Sequence, residues 1–160
     1  MKRLLKVRYI IGKRVLKRLL KKENKRNIKY CNINTAKSFG ILCYLENEED
    51  YKKIVKLVKY LRDQFGIKIV KALAYYTNND NPFFLKSKLG FDFYTTSDIN
   101  LFAFPNNVLV RNFINTDFDI LLDIADKEII PQRFVLHYSK SRSEERRVGK
   151  ECISRWSPLH

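Results

Sequence analysis

The stretch that most limits what this chain can fold into is Phe113 to Ala125, FINTDFDILLDIA, where a run of strand length, Phe118 to Leu122, leads straight into Asp123. Apart from Asp119 the run is apolar at both parities, so such a strand needs cover on both faces, as strands of parallel sheets do. Open α/β sheets bind ligands beyond the carboxyl ends of their strands, so Asp123 is placed at the mouth of the sheet.

The rest of the chain supplies partners for that strand. Ser38 to Leu45, SFGILCYL, is a second apolar run and predicts a core strand. Asn47 is an N-cap, with Asp50 at the third helical position as an acidic variant of the capping box. Behind it Tyr51, Ile54, Val55, Val58, Leu61 and Phe65 line one helical face, and Gly66 is the left-handed residue that ends the helix. Ile67 to Tyr75, IKIVKALAY, follows at once, which makes residues 38–75 a β-α-β unit with parallel strands. Residues 77–82 read as a turn, 97–105 as a short strand or loop and 108–113 as a short helix. Residues 129–139 read as a helix with Pro131 in its first turn. The pattern predicts a small Rossmann-like, three-layer α/β domain with a mainly parallel sheet, preceded by a basic amphipathic helix.

Charge is distributed unevenly. Residues 1–29 hold 13 Lys/Arg against Glu23 alone, whereas residues 30–141 hold 14 against 13 Asp/Glu. The chain therefore divides into a basic arm, 1–29, and a nearly neutral domain, 30–141. On a helical wheel Leu4, Leu5, Tyr9, Ile11, Val15, Leu16, Leu19 and Leu20 cover one half of the arm. Lys2, Arg3, Lys6, Lys13, Arg14, Lys17 and Lys21 take the other half, with Arg8 and Ile10 out of place. The plain reading is that the apolar face docks on the domain and the cations are solvated. The functional reading is attachment to an anionic partner, a membrane surface or RNA. Against lipid, Leu4, Ile11, Val15 and Leu19 would insert; against RNA that face would stay docked.

Several chemistries are disfavoured. No glycine-rich phosphate loop follows Ser38 to Leu45; the turn there is ENEED, which repels phosphate. No cofactor, catalytic group or metal site is expected, because His137 is the one histidine before residue 142 and Cys31, Cys43 and Cys152 form no C-x-x-C pair. Reduced thiols in a cytoplasmic protein, peripheral at the inner membrane if the arm binds lipid, are the expectation. Asp123 is the ligand-contact candidate, with Glu46 beside it if their strands are neighbours; two carboxylates there would suit Mg²⁺, and capping a loop is the plainer role. Tyr75, Tyr76, Phe83, Phe84, Phe91, Phe93 and Tyr94 offer faces for stacking bases, with core packing as the simpler account.

Arg142 to His160, RSEERRVGKECISRWSPLH, resembles the translation of a ligated sequencing adapter of the kind carried by metagenome reading frames, departing from it at Ile153 and Leu159. The resemblance implies a natural chain cut near Ser141, a tail that is not a domain, and a sheet lacking its next strand. Before that tail, Phe118, Asp119, Leu121, Leu122 and Asp123, then Pro131, then Ser139 and Lys140 resemble the F-D-[IVL]-L-I-D, proline and S-K-A-x-F-x-V-G pattern of an uncharacterised bacterial family known mainly from Bacteroidota. Ser141 replaces its usual alanine, and no reaction is implied. A fold-level likeness to the N-terminal domain of heptosyltransferase-like glycosyltransferases implies the alternative, a truncated small-molecule or nucleotide-sugar binding domain with Asp123 at the site. The first reading is a non-enzymatic accessory domain held to an anionic partner by its arm.

Overall fold

A computed structural model describes residues 2–21, 31–77, 83–85, 90–125, 127–140 and 143–145, with the backbone alone for 2–3 and 143–145. The sheet is built outward from β1 (Ser38–Leu45), in which every residue but Tyr44 is buried. It pairs in parallel with β2 (Ile69–Tyr76) on one edge and β4 (Ile120–Asp123) on the other; β3 (Phe91–Thr95) extends β2 and β5 (Ser143–Glu145) extends β4. The order β3-β2-β1-β4-β5 makes a parallel doubly wound sheet whose switch point lies between β1 and β4.

Strand parity sends each side chain to one of two cores. Phe39, Ile41, Cys43 and Leu45 meet Val70, Ala72 and Ala74 under α2 (Glu48–Phe65), which contributes Ile54, Val58 and Leu61. The opposite parity places Leu42, Leu73, Tyr75, Tyr94 and Leu121 against α3 (Val108–Asn115) and α4 (Ile130–Tyr138). The helix α2 starts as expected, with Asn47 Oδ1 accepting from Asp50 N at 3.0 Å, and ends at Gly66, φ 63. The Asp50 carboxylate accepts from Glu46 N at 3.3 Å, one residue before the N-cap that a capping box would engage. At the other end of β1, Asp119 Oδ2 accepts from Lys37 N, Ser38 N and Ser38 Oγ, which ties the start of β1 to the approach to β4.

The loop alternative for 97–105 holds, and one expectation is corrected. The segment 97–105 is a braced turn, entered by a single 3-10 turn at Thr96–Asp98 and closed by an antiparallel bridge between Ile99 and Pro105. And β5 occupies the strand position expected to be missing after Ser141. Main-chain groups at a sheet edge pair with any extended chain that reaches them, so pairing there needs no apolar side chains.

The first helix, α1 (Lys2–Lys21), packs along α4. Leu16 is buried with Ala103, Ile130 and Phe134, and Tyr9, Val15 and Leu19 pack around them. Val15 and Leu19 therefore face inward, where lipid insertion would have needed them outward. Arg8 and Ile10, misfits on the wheel, are real departures: Arg8 turns inward with Nη1 donating to Ile99 O at 3.5 Å, and Ile10 is exposed. Gly12 marks the closest approach. A Cβ there would lie 2.5 Å from Phe102 O and 2.9 Å from the Ala103 side chain. Gly12→Ala is expected to destabilise the protein by about 1 to 3 kcal/mol through overpacking. That is opposite in sign to the roughly 1 kcal/mol alanine adds to an isolated helix, and urea melts of the two proteins decide the sign.

Candidate functional site

The carboxyl end of the sheet brings β1 and β4 together as expected but does not bring Asp123 and Glu46 together. Asp123 is level with Leu42, so Glu46 lies four residues further along, about 13 Å at the rise of a strand. Asp123 is buried and its Oδ1 accepts from Ala125 N at 3.1 Å, the loop-capping role. Glu46 is exposed and pairs with Lys127 Nζ. Among the described residues no three His, Cys, Asp or Glu side chains gather as a metal site would require.

What does meet at this end is a row of phenols. Tyr44, Tyr75 and Tyr94 occupy paired register positions on β1, β2 and β3, with ring centroids 6.2 and 5.0 Å apart. Tyr9 of α1 closes over them, its hydroxyl 2.8 Å from that of Tyr75. Among the described residues the Tyr94 hydroxyl has no partner although the residue is fully buried, and beyond β1 the Gln132 side chain donates to Cys43 O while its own buried Oε1 has no partner among those residues. Burial pushes the Tyr9, Tyr75 and Tyr94 phenols and the Cys43 thiol above their ordinary values. Groups shifted that way stay protonated at neutral pH and do not serve as bases.

Core packing accounts for Tyr75, Tyr76, Phe91 and Tyr94, all buried, and for Phe84 and Phe93, partly so; Phe83 is exposed. His137 is partly buried on α4, 5.0 Å from the Tyr138 ring. Cys31 and Cys43 are free thiols. The sequence reading missed the phenol row. Its signal was a tyrosine at the same parity near the end of three successive strands, which becomes visible only once the strands are put in register.

The second candidate surface is the outer face of α1. Lys6, Lys13, Arg14, Lys17, Arg18 and Lys21 are exposed there, and Lys13 Nζ lies 3.5 Å from Glu128 Oε2. Lys2 and Arg3 open the same helix, and their side chains fall outside the described residues. Arg18 was not among the expected cations and belongs with them. No helix among the described residues is long and apolar enough to cross a membrane.

These features define a doubly wound parallel α/β domain with a basic amphipathic helix laid along it. The chain belongs to a family of unknown function, DUF6913, whose model matches residues 8–145, from within α1 to the end of β5. No curated protein and no solved structure matches it.

Two outcomes are expected at the sheet end. Asp123→Ala removes a loop cap and should cost about 1 to 2 kcal/mol, with Mg²⁺ leaving the Tm of the wild type and of the variant unchanged in thermal melts. For the phenols, each folded pKa lies above the unfolded value of about 10. Their contribution to stability is therefore complete below that pH and lost as pH rises toward the folded values. Urea melts at about pH 8 and about pH 11 should show the loss, with tyrosinate absorbance rising together with unfolding.

Proposed function

We propose that this protein is a non-enzymatic accessory domain that attaches to an anionic partner, a membrane surface or RNA, through the outer face of α1. The observation that carries the reading is the docking of α1. With Leu16 and Gly12 buried against α4 and the 99–105 turn, Lys6, Arg14, Lys17, Arg18 and Lys21 are held as one exposed stripe on a rigid body. A stripe ordered in advance loses little freedom on binding, so its charge is available to the partner. The phenol row and Asp123 supply packing and a loop cap, which supports a binding role over a catalytic one.

The same proposal carries a cytoplasmic location with peripheral attachment at the inner membrane, and an origin in Bacteroidota, on the strength of the FDILLD and SKS motifs. It also keeps residues 1–29 as the attachment arm, 30–141 as the domain and 142–160 as foreign tail. The family match includes 142–145 and ends there, so what it leaves outside the family is 146–160.

Charge reversal at Arg14, Lys17 and Arg18, each to Glu, is expected to leave the unfolding midpoint nearly unchanged and to abolish binding to anionic vesicles or RNA. Each cation near a membrane contributes about 1 kcal/mol, and on duplex nucleic acid the salt slope is about 0.9 per phosphate contact. Sedimentation with vesicles and filter binding with RNA at low and high salt check it. Undiminished binding of both by the triple variant would end the reading.

A further inference from the structure

The turn beside α1 is built in a way that packing alone does not require. Asn100 organises it: its Oδ1 accepts from Phe102 N at 2.9 Å and from Phe104 N at 3.0 Å, its backbone N donates to Phe104 O at 2.9 Å, and Ala103 N donates to its O at 3.1 Å. Ala103 takes a left-handed conformation, φ 58, while fully buried against Gly12, and Phe104 turns inward, edge-on to Phe134 at 5.6 Å. Below, Asp98 holds the base of the turn: its carboxylate accepts from Thr95 N and Asn107 Nδ2, and its carbonyl from Asn106 N. A left-handed alanine and this density of main-chain hydrogen bonds fix the loop as a rigid element.

What the rigid turn presents is apolar. Leu101 is 62% exposed and Phe102 52%. On α1 the face next to the turn also carries exposed apolar side chains. Around the helix, Gly12 and Arg8 meet the turn, and the quadrant next to them, at about 100° per residue, holds Leu4, Val7, Ile11 and Val15, with Arg18 within it nearer the end of the helix and Arg14 at its outer side. Leu4 is 55% exposed and Val7 51%. Water-exposed apolar side chains held in a braced turn and bordered by arginines match the interface of an anionic bilayer, where the apolar groups enter the acyl boundary and guanidinium groups meet lipid phosphates. RNA offers phosphates to the same cations but gives Leu101 no apolar environment.

We infer that the Leu101–Phe102 turn is a membrane wedge, and that together with the Leu4, Val7, Arg14 and Arg18 quadrant of α1 it seats the domain on an anionic phospholipid surface. This deepens the reading of α1 as the attachment face and rests on it. In this arrangement α1 stays docked, Val15 and Leu19 stay packed, and insertion is shallow.

The test uses the full chain with vesicles of phosphatidylglycerol and phosphatidylcholine, and with the same vesicles lacking phosphatidylglycerol. Leu101→Ser with Phe102→Ser should leave the unfolding midpoint unchanged and weaken binding to the anionic vesicles by about 10- to 100-fold, the range for withdrawing two half-exposed large side chains from lipid. Its salt dependence should persist. In a Trp156→Phe background, Phe102→Trp fluorescence should shift to the blue on adding anionic vesicles and be quenched by brominated acyl chains. Wild-type affinity in the serine variant, or a tryptophan that neither shifts nor is quenched, overturns the wedge even if the α1 charge reversals abolish binding, an outcome that leaves the attachment face standing. Binding of RNA with no affinity for anionic vesicles overturns the wedge as well and assigns the face to nucleic acid.

Discussion

The structure depends on the double burial of β1. A strand with parallel neighbours on both edges and apolar side chains on both faces cannot be left open on either side, so it calls for α2 on one face and for α3 and α4 on the other. Hydrogen bonding along β1 is completed by β2 and β4, and its ends are tied by Asp119 at the start and by Gln132, reaching from α4 to Cys43 O, near the finish. The switch point beside it follows from the same fact: successive strands are added first to one edge of β1 and then to the other.

The second constraint is the seam between α1 and the domain. A seam that excludes even a methyl group at Gly12 needs backbone on both sides at a fixed height, and Ala103 supplies it by adopting a conformation that alanine seldom takes. The Asn100 hydrogen bonds hold that conformation. The consequence reaches the surface. Because Leu16, with Tyr9, Val15 and Leu19 around it, is used in docking, the cations on the opposite side are arranged as a fixed stripe, Leu4 and Val7 stay exposed, and the tip of the turn is left with Leu101 and Phe102 facing solvent. Attachment by insertion of the whole apolar half would have to break this seam. Attachment by the outer face keeps it.

The groups at the sheet end are held in the forms that burial favours. Phenols raised by burial resist ionisation, the thiol behind them is raised too, and the carboxylate nearest them holds its own loop. Glu46 is separated from Asp123 by strand register, not by any distance in sequence that could have warned of it.

What the sequence determined by itself was everything that depends on near neighbours. The parity of SFGILCYL, the Asn47 cap, Gly66 after α2, Pro131 at the head of α4 and the basic half of α1 are local patterns, and a local hydrogen bond or helical face satisfies each of them. Tertiary structure decided what depends on register and height. It set Tyr44, Tyr75 and Tyr94 side by side, set Asp123 against Leu42 and away from Glu46, turned Arg8 inward, and made Gly12 a contact point. It also let SEE complete the sheet edge, because backbone pairing is indifferent to side chains. A strand's periodicity tells which face a residue takes but not how far along its neighbour it will lie, and a helical wheel tells which residues share a face but not which of them meets a backbone 2.5 Å away.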